Sequence, residues 1–226
     1  DLEELGYFVS VESIDTVDPS TFADYDMVIM SSGANTSTLQ NSGVKAALVQ
    51  FAQEGGHILL EGGEVGYDHY GDTAFATWVM HSNDWNADSA GNIQIADTTH
   101  RVATYPNDLT GAEIAVTYNG YGDSDAMVPL ADAAAVGGWT GHSDASVIAY
   151  DPNAAPEGGQ IVFFCFNYAA AGAARVDLLE NAVLWLMTPE YGTCTVSGAA
   201  TLEGQDDHGG ITITAIPNGG STTTAA

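Results

Sequence analysis

Apolar residues in this chain gather in short runs separated by stretches rich in glycine, aspartate and serine, and the runs follow two periods. Residues 26–31 (DMVIMS), 57–60 (HILL), 146–150 (SVIAY) and 160–166 (QIVFFCF) are nearly continuous. Runs this short and this apolar predict strands buried within a sheet. Between residues 42 and 54, Val44, Leu48 and Phe51 recur at i, i+4 and i+7, and between 173 and 187 Val176, Leu179, Val183 and Leu186 keep one face. Both predict amphipathic helices, the first ended by Gly55 and Gly56 and the second by Pro189. A shorter helix is predicted over 74–81 (AFATWVMH), with Phe75, Trp78 and Val79 turned inward. At the front, Leu2 and Leu5 read as the last turn of a helix closed by Gly6, with a strand over 7–11 after it.

Strand 26–31, helix 42–54 and strand 57–60 make a βαβ unit, whose right-handed crossover sets the strands parallel and places the loops after Met30 and Leu60 on one sheet edge. The expected fold is therefore α/β, a mostly parallel, doubly wound sheet over residues 1–189. Residues 82–140 read as a long insert, with strand-like pieces at 92–95 and 113–118, that decorates the sheet edge. Residues 190–226 change to strand-like alternation and read as a short separate β segment.

The stretch 55–70 (GGHILLEGGEVGYDHY) concentrates the candidate chemistry, because its strand runs into Gly62 and Gly63 at the carboxyl end, where open α/β sheets build their sites. Glu61, Glu64, Asp68 and His69 follow in close order. Oxygen and imidazole groups of this kind can hold a divalent cation or move protons, although the spacing matches no metal motif such as H-E-x-x-H. The plainer alternative is that Glu61 accepts hydrogen bonds from backbone N–H groups of the turn as a structural anchor.

This stretch resembles the centre of the class I glutamine amidotransferase-like fold, of flavodoxin type, in which a strand delivers a nucleophilic cysteine on a sharp elbow. The resemblance covers roughly residues 1–188. It implies Glu61 at the cysteine's place, Asn167 at the histidine's and Ala169 at the glutamate's, with Cys165 displaced by two residues. The catalytic constellation of that family is thus missing, and the resemblance implies a scaffold without its activity. The tail (TVSGAATLEGQDDHGGITITAIPNGG) resembles the opening of a carboxypeptidase regulatory-like β-sandwich, of which two or three strands are present.

Further candidates are weaker. Ser32 lacks a G-x-S-x-G elbow and an evident partner histidine for a serine hydrolase, so it is carried with Asn119, Tyr121 and Asn167 as a binding residue. Residues 118–125 (YNGYGDSD) mix aromatic and acidic groups in a glycine-rich loop, as carbohydrate and calcium loops do, and Asp123 and Asp125 are the candidate metal ligands. The glutamate that closes a twelve-residue calcium loop is absent. Trp78 and Trp185 fall in helical patterns and read as core, which leaves Trp85 and Trp139 as candidate sugar-stacking faces.

Charge narrows the partners. With 3 Lys+Arg against 30 Asp+Glu in 226 residues, the formal net charge is -27. Such a surface repels nucleic-acid phosphates and anionic lipid, and no apolar run approaches the roughly 20 residues that cross a bilayer. It attracts cations, so calcium or another divalent ion is the cofactor to expect, if any. Cys165 lies in an apolar run and reads as core, while Cys194 opens the tail; two cysteines make no disulfide framework. In the resembled fold a hydrophobic strand precedes residue 1, so the chain reads as a fragment of a longer, secreted or surface protein. Its sheet would then be completed by another chain, as a separate N-terminal piece or by strand donation between subunits, and the partners to expect are self-assembly or a protein or carbohydrate. The expected function is a non-catalytic module acting in binding or assembly. The alternative is a hydrolase, possibly metal-assisted, that uses Glu61, Glu64, Asp68 and His69.

Overall fold

The apolar runs become strands, but in a different sheet from the one expected. The structure is a computed structural model, described here for residues 1–89, 91–117, 124–152 and 158–188 and for two strands of the tail. Eight strands form one sheet: β1 (Met27–Ser31), β2 (His57–Glu61), β3 (Ser82–Asp88), β4 (Ile93–Ile95), β5 (Asp125–Pro129), β6 (Ala133–Trp139), β7 (His142–Tyr150) and β8 (Ile161–Phe164). The main order is β1-β2-β8-β7-β5-β3, with β6 also on β7 and β4 on β6. Among the described residues, parallel pairing is confined to β1 with β2 and β2 with β8. The pairs β8–β7, β7–β5, β7–β6, β5–β3 and β6–β4 are all antiparallel.

This corrects the doubly wound, mostly parallel α/β expectation: the sheet is mixed and mostly antiparallel, with few helices. The segment 82–140 is the reason. Instead of decorating the edge it supplies β3, β4, β5 and β6. Its polar residues, together with register shifts at Ser82/Asp84, Trp85/Ala87 and Ala135/Gly137, break the alternation by which a strand is recognised.

Helices α1 (Ser42–Gln53), α2 (Val65–His69), α3 (Thr73–Phe75), α4 (Arg101–Thr104) and α5 (Arg175–Met187) cover the two faces. The side chain of Asn41 caps α1 by accepting from Gly43 N–H at 3.0 Å and Val44 N–H at 3.2 Å. α3 continues as a wide π-helical turn, Ala76–Met80, ended by His81 at φ 47. Alternation along the central strands sorts the core into two layers. Leu59, Val162 and Phe164 join Leu178, Leu179, Val183 and Leu186 of α5. Ile58, Leu60, Ile161 and Phe163 join Val44, Leu48 and Phe51 of α1, with Phe75 and Val79.

The strand expected over 7–11 does not enter a ladder, and Phe8 and Val11 are 95% and 88% exposed. Leu2 to Gly6 make one turn, closed by Gly6 at φ 91. Cys165 is buried and free, and burial drives its thiol well above the ordinary range. Cys194 lies outside the described residues. Residues 191–226 form a compact unit of their own, in which β9 (Thr212–Thr214) pairs antiparallel with β10 (Ser221–Thr223). Among the described residues, no helix is long and apolar enough to cross a membrane.

Candidate functional site

Glu61 ends β2, and the parallel register sets it beside Ser31 of β1 and Phe164 of β8. Three neighbouring chain segments therefore converge on its carboxylate. Oε1 accepts from the Ser31 hydroxyl and from Gly33 N–H at 3.1 Å, and Oε2 accepts from Tyr168 N–H at 2.9 Å. The backbone repeats the clamp: Ser32 N–H reaches the Glu61 carbonyl at 2.9 Å, and Gly63 N–H reaches the Gly33 carbonyl at 3.1 Å. The side chain is 6% exposed. A carboxylate so occupied fastens the loops after β1, β2 and β8 together, and its hydrogen-bonding capacity is largely spent.

The other members of the acidic cluster have separate tasks. Asp68 Oδ2 accepts from Thr38 N–H at 2.6 Å and from the Thr38 hydroxyl at 2.8 Å. His69 Nε2 lies 3.0 Å from the Thr38 carbonyl and 3.2 Å from its hydroxyl. Its ring meets Phe75 edge-on, and burial, aided by the Lys45 charge, lowers its pKa. Together they tie the loop before α1 to α2. Glu64 takes the N-cap position of α2 without a side-chain capping bond. Two clefts of about 400 and 350 Å³ lie elsewhere, one beside Tyr25, Phe51 and His57 and the other beside His100, Asp132 and Trp185. Neither is lined by Glu61 or His69.

Of the remaining candidates, Asn167 caps the 3-10 turn after β8, its Oδ1 accepting from Ala169 N–H at 3.1 Å. The Ser32 hydroxyl oxygen is buried without a hydrogen-bond partner. Asn119, Tyr121 and Asp123 lie outside the described residues. Trp139 is buried and its Nε1 donates to the Asp125 carbonyl at 3.0 Å, while Trp185 is core, as its pattern indicated. Among the described residues, no three His, Cys, Asp or Glu side chains are grouped so as to hold a metal ion.

Asp125 has a position that sequence reasoning missed. It is fully buried at the start of β5. Its Oδ1 accepts from Trp85 Nε1 at 2.7 Å, and its Oδ2 accepts from Gly66 N–H at 2.8 Å and Tyr67 N–H at 3.3 Å. A Cβ on residue 66 would lie 2.8 Å from that Oδ2 and 2.3 Å from Met127 Sδ, so only glycine lets the amide come this close. Around it Tyr67 meets Trp85 edge-on at 4.9 Å and Tyr70 stacks on Trp85 at 6.4 Å. Burial pushes the Asp125 pKa up to about 8; the Glu64 charge adds to this and the donors oppose it.

The sign of the resulting pH dependence follows. The folded state holds a proton that the unfolded chain has released above the ordinary aspartate range, so stability is lost as pH rises toward 8. Below pH 6.5 the lowered histidines His57, His69 and His81, the last at about 4, act the opposite way, because the unfolded chain takes up protons that they refuse. Between pH 6.5 and 8 Asp125 titrates with little opposition. Stability should fall there by roughly 2 kcal/mol, read from urea midpoints, and Asp125→Asn should flatten the slope. A wild-type midpoint constant across that interval would contradict the assignment.

No protein-family model matches this chain, and no curated protein matches it. Among the solved structures that are similar in fold are these two. The cytoplasmic protein STM3548 from Salmonella typhimurium is 18% identical with a TM-score of 0.51, over 79% of this chain and 76% of that one. The mmIFT52 N-terminal domain is 11% identical with a TM-score of 0.52, over 80% of this chain and 84% of that one. At these identities the likeness bears on fold alone.

Proposed function

We propose that this chain is a non-catalytic module that acts by binding or assembly within a secreted or surface-attached protein. The observation that carries the reading is the carboxylate of Glu61, which accepts from Ser31, Gly33 and Tyr168 at the strand ends. The side chain at the end of β2 thus holds three loops in place and is not presented to a substrate. By the resemblance to class I glutamine amidotransferases, Glu61 and Asn167 would stand where that family has its nucleophile and its histidine. Of the other acid–base candidates, Asp68 and His69 are engaged with Thr38. The acidic surface suits an exposed, ion-rich setting, where salt screens the repulsion among its carboxylates.

The test is turnover by purified protein given glutamine and a panel of chromogenic esters. No release of glutamate or chromophore above buffer is expected. Release that disappears in Glu61→Ala, with the variant still folded by circular dichroism, would overturn the reading in favour of a hydrolase.

A further inference from the structure

The smaller of the two clefts gathers opposite charges without letting them pair. In a sequence with 3 Lys+Arg against 30 Asp+Glu, a cation has no shortage of possible partners. Lys45 pairs with Asp72 at 2.7 Å and Arg175 with Asp1 at 3.3 Å. Arg101 departs from this: among the described residues it makes no ion pair, and its guanidinium lies over the Tyr105 ring at 5.2 Å. Yet it lines the cleft of about 350 Å³ together with Asp97, Asp132 and Asp151.

The fold holds these groups on separate segments. Arg101 begins α4, whereas Asp97 follows β4, Asp132 lies in the turn between β5 and β6, and Asp151 follows β7. α4 is fixed to α5 by Asn181, which is fully buried and donates to the Val102 carbonyl at 3.0 Å and the Asn107 carbonyl at 2.8 Å. The sheet contributes Ala134 and Ala149, cross-strand partners on β6 and β7, and α5 contributes Trp185. Paired alanines leave room that larger strand residues would fill, and with the indole they make an apolar wall.

The three carboxylates are not equivalent. Asp97 Oδ1 accepts from Thr99 N–H at 2.9 Å and from the Thr99 hydroxyl at 2.7 Å, and Asp151 Oδ2 accepts from the Gln160 side chain at 3.4 Å. Among the described residues, the Asp132 carboxylate meets only His81 Nδ1, at 3.6 Å. Burial lowers the His81 pKa to about 4, so at neutral pH that ring leaves the Asp132 charge uncompensated. The cleft thus offers a guanidinium without a carboxylate and a carboxylate without a cation.

We propose that this cleft binds a free α-amino acid with an apolar side chain, its carboxylate on Arg101, its ammonium on Asp132 and its side chain against Ala134, Ala149 and Trp185. A guanidinium takes a carboxylate through two parallel N–H bonds, so the anionic end fixes the orientation. Such a ligand carries both charges and no net one, so a chain of net charge -27 does not repel it as it repels a free anion. Glu61 does not line the cleft, and the proposal stands or falls separately from the non-catalytic reading of that residue.

Calorimetric titration of the whole chain with L-leucine tests this against the two halves of the ligand: 4-methylpentanoate, which lacks the ammonium, and 3-methylbutylamine, which lacks the carboxylate. Saturable one-to-one binding of leucine is expected, with each half weaker by about tenfold or more, because each forgoes one charge-assisted contact. Arg101→Gln breaks no ion pair and should leave the circular dichroism unchanged. In that variant 3-methylbutylamine should bind at least as tightly as leucine, a reversal that a merely structural role for Arg101 would not produce. Asp132→Asn should weaken leucine by a similar factor and leave 4-methylpentanoate unaffected. No saturable binding of leucine to the wild type would overturn the proposal, as would an unchanged affinity for leucine in Arg101→Gln. Wild-type binding of the amine as tight as that of leucine would also overturn it, and would make the cleft a general trap for cations on an acidic surface.

Discussion

Glu61→Ala should destabilise the protein by about 3–5 kcal/mol, since each donor stranded without a buried partner costs roughly 1–3 kcal/mol. Three donors lose their acceptor at once: the Ser31 hydroxyl, Gly33 N–H and Tyr168 N–H. They belong to two segments, the chain leaving β1 and the chain leaving β8, and the 6% exposure of Glu61 leaves little room for water to replace the carboxylate. For a chain of this size the change corresponds to a fall in Tm of roughly 10 °C. Glu61→Gln should lose less, because the amide keeps an acceptor oxygen but must turn its NH₂ toward one of the donors. Ser32→Ala is the internal control. Its hydroxyl oxygen has no hydrogen-bond partner, so its removal should leave the midpoint within about 1 kcal/mol of wild type. Equal melting of Glu61→Ala and wild type would remove the anchor role, and with it the main support for a non-catalytic strand end.

The reading that Glu61 accepts from N–H groups of its own turn is not what the structure has: its donors are Ser31, Gly33 and Tyr168, from the neighbouring strand ends. The identity of the donors was not legible. Ser31 lies 30 residues away and Tyr168 more than a hundred, and only the parallel register of β1, β2 and β8 brings them to one carboxylate. The same distinction separates the fold's readable and unreadable parts. Strands buried on both faces and the two long helices announce themselves through a continuous run or a 3.6-residue period. β3 and β6 do not, because β3 faces solvent for much of its length and β6 has Gly137 and Gly138 where an apolar pair would be expected. Missing those strands turned a mixed sheet into an imagined parallel one. Asp125 was hidden for a related reason. Placed in a polar loop it reads as a solvent-facing ligand, and only the start of β5 turns it inward onto Trp85 and Gly66.

Gly159→Ala should be at least as damaging as the loss of Glu61, by about 4 kcal/mol, because it forces two backbones apart instead of removing a bond. Gly159 leads into β8 where the end of α1 and the start of β2 meet, and its N–H donates to the Ala52 carbonyl at 2.8 Å. A Cβ at this position would lie 2.0 Å from the Gly56 carbonyl oxygen, 2.5 Å from the Gly56 carbonyl carbon and 2.8 Å from that of Gly55. None of these atoms belongs to a side chain that could swing aside. Relief requires residues 55–56 and 159 to separate by more than about an ångström, since carbon and oxygen normally approach no closer than about 3 Å. The separation pulls on Ile58 N–H to the Gln160 carbonyl, at 3.1 Å, and on Gln160 N–H to His57 Nδ1, also at 3.1 Å, which open the β2–β8 ladder. Since β2 and β8 carry both core layers, the strain falls on the centre of the sheet. Gly141→Ala, in the turn between β6 and β7, supplies the comparison: nothing lies within 4 Å of its added Cβ, so a change of no more than about 1 kcal/mol is expected. Urea denaturation of the two variants side by side measures the difference. If Gly159→Ala unfolds within about 0.5 kcal/mol of Gly141→Ala, then the close approach of these backbones does not constrain the sheet.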